Sequence, residues 1–191
     1  LIEPSFEHYF IYDSYSCRQG KGTQAAASRL QYFLRRASAN NSRTAYILKC
    51  DIRQFFASVR HDILLEHLSQ HVADVRMLDL LKEIITSFSV SNNCGIPLGN
   101  LTSQLFANVY LHELDWFVKQ TLREPFYLRY CDDFIIIHHD RDYLLSLIAY
   151  IGDFVQECLN LELHPRKIEL RTYNQGIDFL GYVIKPGAVL I

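Results

Sequence analysis

Residues 126–138 read Phe126-Tyr127-Leu128-Arg129-Tyr130-Cys131-Asp132-Asp133-Phe134-Ile135-Ile136-Ile137-His138. Two short runs rich in aromatic and β-branched residues flank an acidic bend. That pattern predicts a β-hairpin with strands at Phe126–Tyr130 and Phe134–His138. Acids are costly inside such a segment unless something neutralises them. Upstream, Ala45-Tyr46-Ile47-Leu48-Lys49-Cys50-Asp51 is strand-like and also ends on an acid.

If those two strands are neighbours, the carboxylates of Asp51 and Asp132 converge. Converging carboxylates repel and raise one another's pKa unless a cation lies between them. Mg2+ takes carboxylate ligands, keeps waters and accepts substrate phosphate oxygens. Two such ions can activate a 3′-hydroxyl and steady a pyrophosphate leaving group. A single Asp in a turn is ordinarily an exposed turn acid. An acidic pair between two apolar strands, with a third acid closing another strand, points instead to a metal site.

Outward from the hairpin, helical spacing of apolar residues is clearest at Thr23–Ala39, where Ala25, Ala26, Leu30, Phe33 and Leu34 fall on one side and Thr23 is a candidate N-cap. Helices are also expected at His61–Gln70, Asp74–Phe88, Thr102–Leu122 and Asp142–Leu159, with Ser91–Asn100 as a loop holding two glycines and a proline. Two further strands are expected at Lys167–Thr172 and Ile177–Ile184, joined by a turn at Asn174-Gln175-Gly176. The order predicts an α+β fold, an antiparallel sheet with helices packed on one face.

The 191 residues are 49% hydrophobic and 21% charged, which suits one well-buried domain or one domain and part of another. No apolar run approaches the roughly 18 residues of a membrane span. The start, Leu1-Ile2-Glu3-Pro4, lacks the basic and apolar regions of a signal peptide, and its missing Met suggests an excerpt from a longer chain. Five cysteines with no CxxC pair speak against zinc and against a disulfide framework, so buried free thiols in a reducing compartment are expected. The net charge of −2 is unusual for a chain that handles nucleic acid. Locally, however, Arg18, Lys21, Arg29, Arg35, Arg36 and Arg43 occupy a stretch without an acid after Asp13. Such a stretch can meet phosphates or be a solvated helix face.

Six motifs together resemble the reverse transcriptase family. Tyr130-Cys131-Asp132-Asp133 matches its Tyr-x-Asp-Asp signature. Asp51-Ile52-Arg53-Gln54-Phe55-Phe56 resembles its first catalytic motif, an Asp followed five residues on by an aromatic. Gly95-Ile96-Pro97-Leu98-Gly99-Asn100-Leu101-Thr102-Ser103-Gln104 resembles the loop-to-helix motif before the catalytic hairpin. Leu163-His164-Pro165-Arg166-Lys167 resembles the fourth palm motif, Phe179-Leu180-Gly181 the primer grip, and Tyr15-Ser16-Cys17-Arg18-Gln19-Gly20-Lys21-Gly22 a fingers motif of bacterial enzymes. They keep the family's order along the chain.

The resemblance implies a polymerase palm at 45–172, part of the fingers at 1–44, and a primer-grip hairpin at 173–191 leading to a thumb beyond it. It implies RNA-directed DNA synthesis with two Mg2+ ions, for which Mn2+ can substitute. Asp51 and Asp132 would be ligands to both metals, with Asp133 and the carbonyl of Ile52 as further ligands. Lys167 would be the proton donor to pyrophosphate. Phe56 would lie under the sugar of the incoming nucleotide and exclude a 2′-hydroxyl. Leu98, Gly99 and Arg18 would face the nucleotide. Lys21, Ser103, Gln104, Tyr130, Phe179, Leu180 and Gly181 would meet template or primer. The implied partners are an RNA template, a DNA or RNA primer and deoxynucleoside triphosphates, with a cytoplasmic setting in a bacterium or phage.

Many family members carry Gln-Gly in the loop motif and Ser-Pro at the helix, where this chain has Leu98-Gly99 and Ser103-Gln104. Those pairs resemble the enzymes of diversity-generating retroelements, which copy a template RNA with frequent errors at adenine and are usually accompanied by a small basic accessory protein. Group II intron-like and defence-associated enzymes remain open alternatives. Two readings from other classes also stand: a catalytically silent palm that only binds nucleic acid, and a nucleotide cyclase. Intact acids argue against the first, and the primer-grip and Tyr-x-Asp-Asp motifs against the second.

Overall fold

The computed structural model describes residues 6–190. In chain order the elements are β1 (Ser14–Tyr15), α1 (Thr23–Ala37), β2 (Tyr46–Asp51), α2 (Phe55–Ser58), α3 (His61–Ser69), α4 (Val75–Thr86) and α5 (Leu101–Trp116). A π-helical turn at Phe117–Thr121 ends α5, and β3 (Tyr127–Tyr130), β4 (Asp133–His138) and α6 (Arg141–Leu159) follow. Then come β5 (Glu169–Thr172), a 3-10 turn at Tyr173–Gln175, β6 (Ile177–Phe179), β7 (Tyr182–Lys185) and β8 (Ala188–Leu190).

Local chemistry sets several of these boundaries. The Asp74 carboxylate accepts from the amides of Arg76 and Met77, so Asp74 caps α4 rather than opening it. Asp140 caps α6 in the same way through Asp142 and Tyr143. Each cap satisfies amides that have no partner within the helix. Gly22, not Thr23, holds the capping position of α1, and Thr23 is its first helical residue.

The main sheet runs β1-β3-β4-β2-β5, antiparallel throughout except for the two-residue β1, which pairs parallel to β3. The expected strand pair β2–β4 is therefore central, in a register that sets Tyr46 opposite His138 and Asp51 opposite Asp133. Both faces of this sheet are buried. Leu48, Cys50, Tyr127, Phe134 and Ile136 point into a core shared with α3, α4, α5 and α6. Ile47, Leu128, Ile135 and Ile137 point the other way, into a core with Leu30, Phe33 and Leu34 of α1 and Ile177, Phe179 and Ile184 of the small sheet β6-β7-β8.

The α+β architecture is as expected, but helices on one face understates it, because α1 and the small sheet cover the second face. The run Phe134-Ile135-Ile136-Ile137 has no polar alternation for that reason: a strand buried on both sides reads as a continuous apolar run. Because α1, β2–β5 and β6–β7 share these cores, no boundary at 44 or 172 separates independently packed units.

The expected strand Ile177–Ile184 is two strands folded back on each other, with Phe179 opposite Tyr182. Leu180 (φ 57°) and Gly181 (φ 82°) form the turn, the double positive φ of a tight hairpin. The expected turn at 174–176 is instead the 3-10 connection from β5, which lies in the main sheet beside β2. All five cysteines are free, but Cys17 and Cys158 are exposed rather than buried. No helix among the described residues is long and apolar enough to cross a membrane.

Candidate active site

Strand register places the acids. Asp51 closes β2 and faces Asp133, the first residue of β4, and directly opposed residues of an antiparallel pair hold their Cβ atoms about 4.5–5.5 Å apart. Asp132 sits in the two-residue turn before Asp133, and its carbonyl accepts from the Ile52 amide at 3.3 Å. Three acids from two distant stretches of the chain, Asp51 and the adjacent pair Asp132-Asp133, thus meet at one end of the central strand pair. Asp133 shares a face with Asp51, which the adjacent Asp132 alone would not have indicated.

The turn itself is strained. Cys131 adopts φ 53°, a position that glycine occupies at lowest cost. Its amide points at the Tyr15 carbonyl, 3.5 Å away, so the short β1 clamps the turn from the side.

Electrostatics favour a cation here. Burial raises the pKa of Asp132, and the charge of Asp51 adds to the rise. Burial likewise pushes Asp133 from the usual 3.8 to about 6, partly opposed by Lys49 and reinforced by Asp51 and Asp132. The cation that does approach is Lys167, whose ammonium donates to Asp51 Oδ2 at 2.8 Å. The loop that carries Lys167 is anchored to the same residue, because the His164 amide donates to the Asp51 carbonyl at 2.8 Å. Among the described residues no three acid, His or Cys side chains are already drawn into a single ligand cluster. The donor set nevertheless suits a hard divalent ion: carboxylates destabilised by burial and by one another, with a lysine ammonium standing where positive charge is needed.

The loop motif packs behind this tip. Phe56 is half-buried, lies edge-on to Phe55 at 5.4 Å, and its carbonyl accepts from the Ile96 amide at 2.8 Å. Gly95 (φ 105°) is required where it stands, since a Cβ there would come within 2.8 Å of Val90 Cγ2. Leu98 is 76% exposed and is followed by Gly99 at φ 86°, so both project from the loop. Gln104 is half-buried in the first turns of α5.

Ser103 is a correction: it is 1% exposed, so its side chain lies inside the fold rather than against a template. Phe179 is fully buried and fills core, while the half-buried Leu180 and the exposed Gly181 form the tip of the hairpin beyond it. Lys49 ties that hairpin to β2 by donating to the Asp178 carbonyl at 3.1 Å.

The fingers motif is also corrected. The Arg18 guanidinium donates to Glu7 and to the carbonyls of Ile11 and Ser14, and its side chain is only 5% exposed, so it braces the N-terminal loop instead of facing a nucleotide. Lys21 donates to the Tyr12 carbonyl at 2.6 Å and lies 3.4 Å from the centre of the Tyr12 ring. Tyr130 remains half-buried beside the turn.

The residue missed from the sequence is Arg129. It is fully buried with Asp115 of α5, and its Nε and a terminal nitrogen each donate to that carboxylate at 2.7 Å. The same guanidinium reaches the Cys131 carbonyl at 2.8 Å and Ser14 Oγ at 3.1 Å, while the Tyr127 hydroxyl donates to Asp115 at 2.6 Å. Asn108 joins α5 to the Ser16 carbonyl at 3.2 Å. One buried polar network therefore links α5, β1 and the acidic turn. The available signal was an Arg amid apolar strand residues and an Asp amid apolar helix residues.

Residues 2–184 match the family described as "Reverse transcriptase (RNA-dependent DNA polymerase)". Among curated proteins, the "Uncharacterized 91 kDa protein in cob intron" of Schizosaccharomyces pombe is 28% identical over 130 residues, covering 65% of this chain and 15% of that protein. The "Group II intron-encoded protein LtrA" of Lactococcus lactis subsp. cremoris is 31% identical over 81 residues, covering 39% of this chain and 14% of that protein. The chain thus spans a small part of the length of either relative. Among solved structures, the telomerase of Candida tropicalis in complex with a fragment of telomeric RNA superposes with a TM-score of 0.74 at 15% identity, over 93% of this chain and 34% of that one. That likeness concerns the fold.

Proposed function

The chain belongs to the reverse transcriptase family, and from that premise we propose that the protein copies an RNA template into DNA by nucleotidyl transfer at the Asp51, Asp132 and Asp133 tip. The observation that carries this reading is the β2–β4 register, which sets Asp51 opposite Asp133 with Asp132 in the intervening turn. Asp51 and Asp132, helped by Asp133 and the Ile52 carbonyl, would hold two Mg2+ ions, or Mn2+ in their place. Bound there, the ions would supply positive charge to an ionising primer 3′-hydroxyl and a departing pyrophosphate.

The chain's own groups supply the rest. Asp51 holds the Lys167 ammonium and raises its pKa, so Lys167 stays protonated at neutral pH and can hand its proton to a pyrophosphate oxygen. Phe56 would floor the sugar site and leave no room for a 2′-hydroxyl. Leu98 and Gly99 border the incoming nucleotide, with Gln104 and Tyr130 toward the template. Leu180 and Gly181 brace the primer strand, supported by the buried Phe179.

The test is extension of a primed RNA template by the full-length protein. Wild type is expected to add deoxynucleotides far better than ribonucleotides. Phe56→Ala should improve ribonucleotide addition relative to deoxynucleotide by about tenfold or more, since removing a steric block changes discrimination directly. Failure of wild type to extend, or an unmoved ratio in the variant, would sink the respective claim.

Two lineages fit the finer reading. The Leu98-Gly99 and Ser103-Gln104 pairs favour error-prone copying in a diversity-generating retroelement, where a small basic accessory protein would complement the chain's net charge of −2. The similarity to LtrA favours a group II intron-like enzyme. A Gln amide at position 98 could hydrogen-bond the nucleotide, whereas Leu98 offers neither donor nor acceptor. Leu98→Gln should therefore lower misincorporation opposite template adenine about 2- to 10-fold, the worth of one net hydrogen bond. An error spectrum identical to wild type would remove the argument for the diversity-generating lineage.

A further inference from the structure

Lys49 stands where the covered part of the main sheet gives way to the acid tip. Ala45 and Ile47 are buried in the core they share with Ile177 and Phe179 of the small sheet. Strand alternation puts Lys49 and then Asp51 next along the same face of β2. An apolar residue at position 49 would continue that core. A lysine there lays its stem along the apolar surface and keeps its ammonium in water. The residue is half-buried, and its one side-chain hydrogen bond lies at the exposed surface.

That ammonium is only partly committed. It has three N–H donors, and one of them goes to the Asp178 carbonyl of β6 at 3.1 Å. Glu169, directly opposite on β5, is held by Arg171 at 2.9 Å, and Ile135, directly opposite on β4, is fully buried. The neighbouring cation Lys167 is bound to Asp51. Lys49 therefore makes no ion pair among the described residues, although it sits one residue pair away from the three acids. A nucleic-acid strand led to that tip brings its phosphates past carboxylates that repel them, and an accessible cation beside the tip offsets the repulsion.

We propose that Lys49 is a primer contact, whose ammonium holds the β6–β7 hairpin through the Asp178 carbonyl and takes a backbone phosphate of the primer with its remaining donors. The identity of the strand rests on the polymerase reading above. Two residues along β2 place Lys49 about 7 Å from Asp51, roughly two nucleotide steps of a stacked strand. The phosphate it takes is therefore the second or so from the primer 3′ end. One side chain thus fixes the hairpin, the primer backbone and the acid tip relative to one another, and it does so without reading sequence.

The test is a phosphate scan. Primers with one backbone phosphate at a time replaced by a neutral methylphosphonate are annealed to an RNA template. Binding to the full-length protein is read by fluorescence anisotropy across a salt series. Lys49→Gln keeps a donor for the Asp178 carbonyl and loses the charge. It should weaken binding of the unmodified duplex about tenfold, the worth of one charge-assisted hydrogen bond, and flatten the slope of log affinity against log salt by about one. Lys49→Arg should keep the slope. On wild type, one methylphosphonate near the second phosphate from the 3′ end should reproduce the loss. On Lys49→Gln the same replacement should cost nothing further, because both changes remove one contact. A merely structural lysine would give losses that add at every phosphate, and that result would overturn the contact. An unmoved slope in Lys49→Gln would overturn it too. So would a wild-type scan that is flat near the 3′ end, whether or not the variant folds. If wild type shows the position-specific coupling but never extends a primer, the polymerase reading fails and the contact stands.

Discussion

Asp132→Asn is expected to lower nucleotide addition by about a thousandfold or more while leaving the fold intact. The loss follows from the role proposed for the tip: an ion that stabilises transition-state charge is worth several kcal/mol, and each 1.36 kcal/mol is tenfold in rate. The intact fold follows from the cost of the acids themselves. Burial and mutual repulsion raise the pKa of Asp132, and they raise Asp133 to about 6. A carboxyl whose pKa is higher in the fold than in the unfolded chain binds its proton more tightly when folded. Without divalent cation, stability is therefore complete at low pH, declines as pH rises from about 4 to about 6, and stays reduced above that. Asp133→Asn removes that penalty and should melt above wild type at neutral pH, with the gain vanishing near pH 4. Thermal melts in chelator across this range check the sign. A variant that melts below wild type at neutral pH would show these acids to be structural partners rather than ligands waiting for charge.

The same energetics explain why this part of the site was legible in the sequence. Acids at apolar strand ends are so costly that few arrangements tolerate them, so Asp51, Asp132 and Asp133 announced a hairpin with carboxylates gathered at its tip. Other features depend on partners that spacing does not reveal. Arg18 and Lys21 sit in a glycine-rich loop suggestive of phosphate binding, yet Glu7, backbone carbonyls and the Tyr12 ring had already claimed them. The Leu180 turn was hidden because leucine with positive φ is uncommon, leaving Gly181 as the sole cue. The second covered face of the sheet was written in the unbroken run Phe134–Ile137 but needed the α1 partner to be understood. The Asp51–Asp133 pairing followed from register, which periodicity leaves undetermined by one residue.

Arg129→Met is expected to destabilise the protein by about 3–5 kcal/mol, because it strands a fully buried Asp115 carboxylate without its partner. For a chain of this size that corresponds to a fall in melting temperature of about 6 to 20 °C. Burial works against the Arg129 charge, but Asp115 more than compensates and holds the guanidinium protonated. Removing both charges is a different experiment. Arg129→Met with Asp115→Leu and Tyr127→Phe replaces the network by apolar groups of similar bulk, and such swaps are often neutral or stabilising. The triple variant should therefore regain most of the missing stability. It should not regain wild-type polymerisation, because nothing would then hold the Cys131 carbonyl, which Arg129 grips at 2.8 Å one residue before Asp132. Cys131 occupies an unfavourable positive φ, and a strained turn persists only where its surroundings over-determine it. A loosened turn should weaken metal affinity first, so raising the Mg2+ concentration should recover part of the rate in the triple variant and none in Asp132→Asn. If the triple variant polymerises like wild type at limiting Mg2+, Arg129 serves stability alone and the turn holds its shape without it.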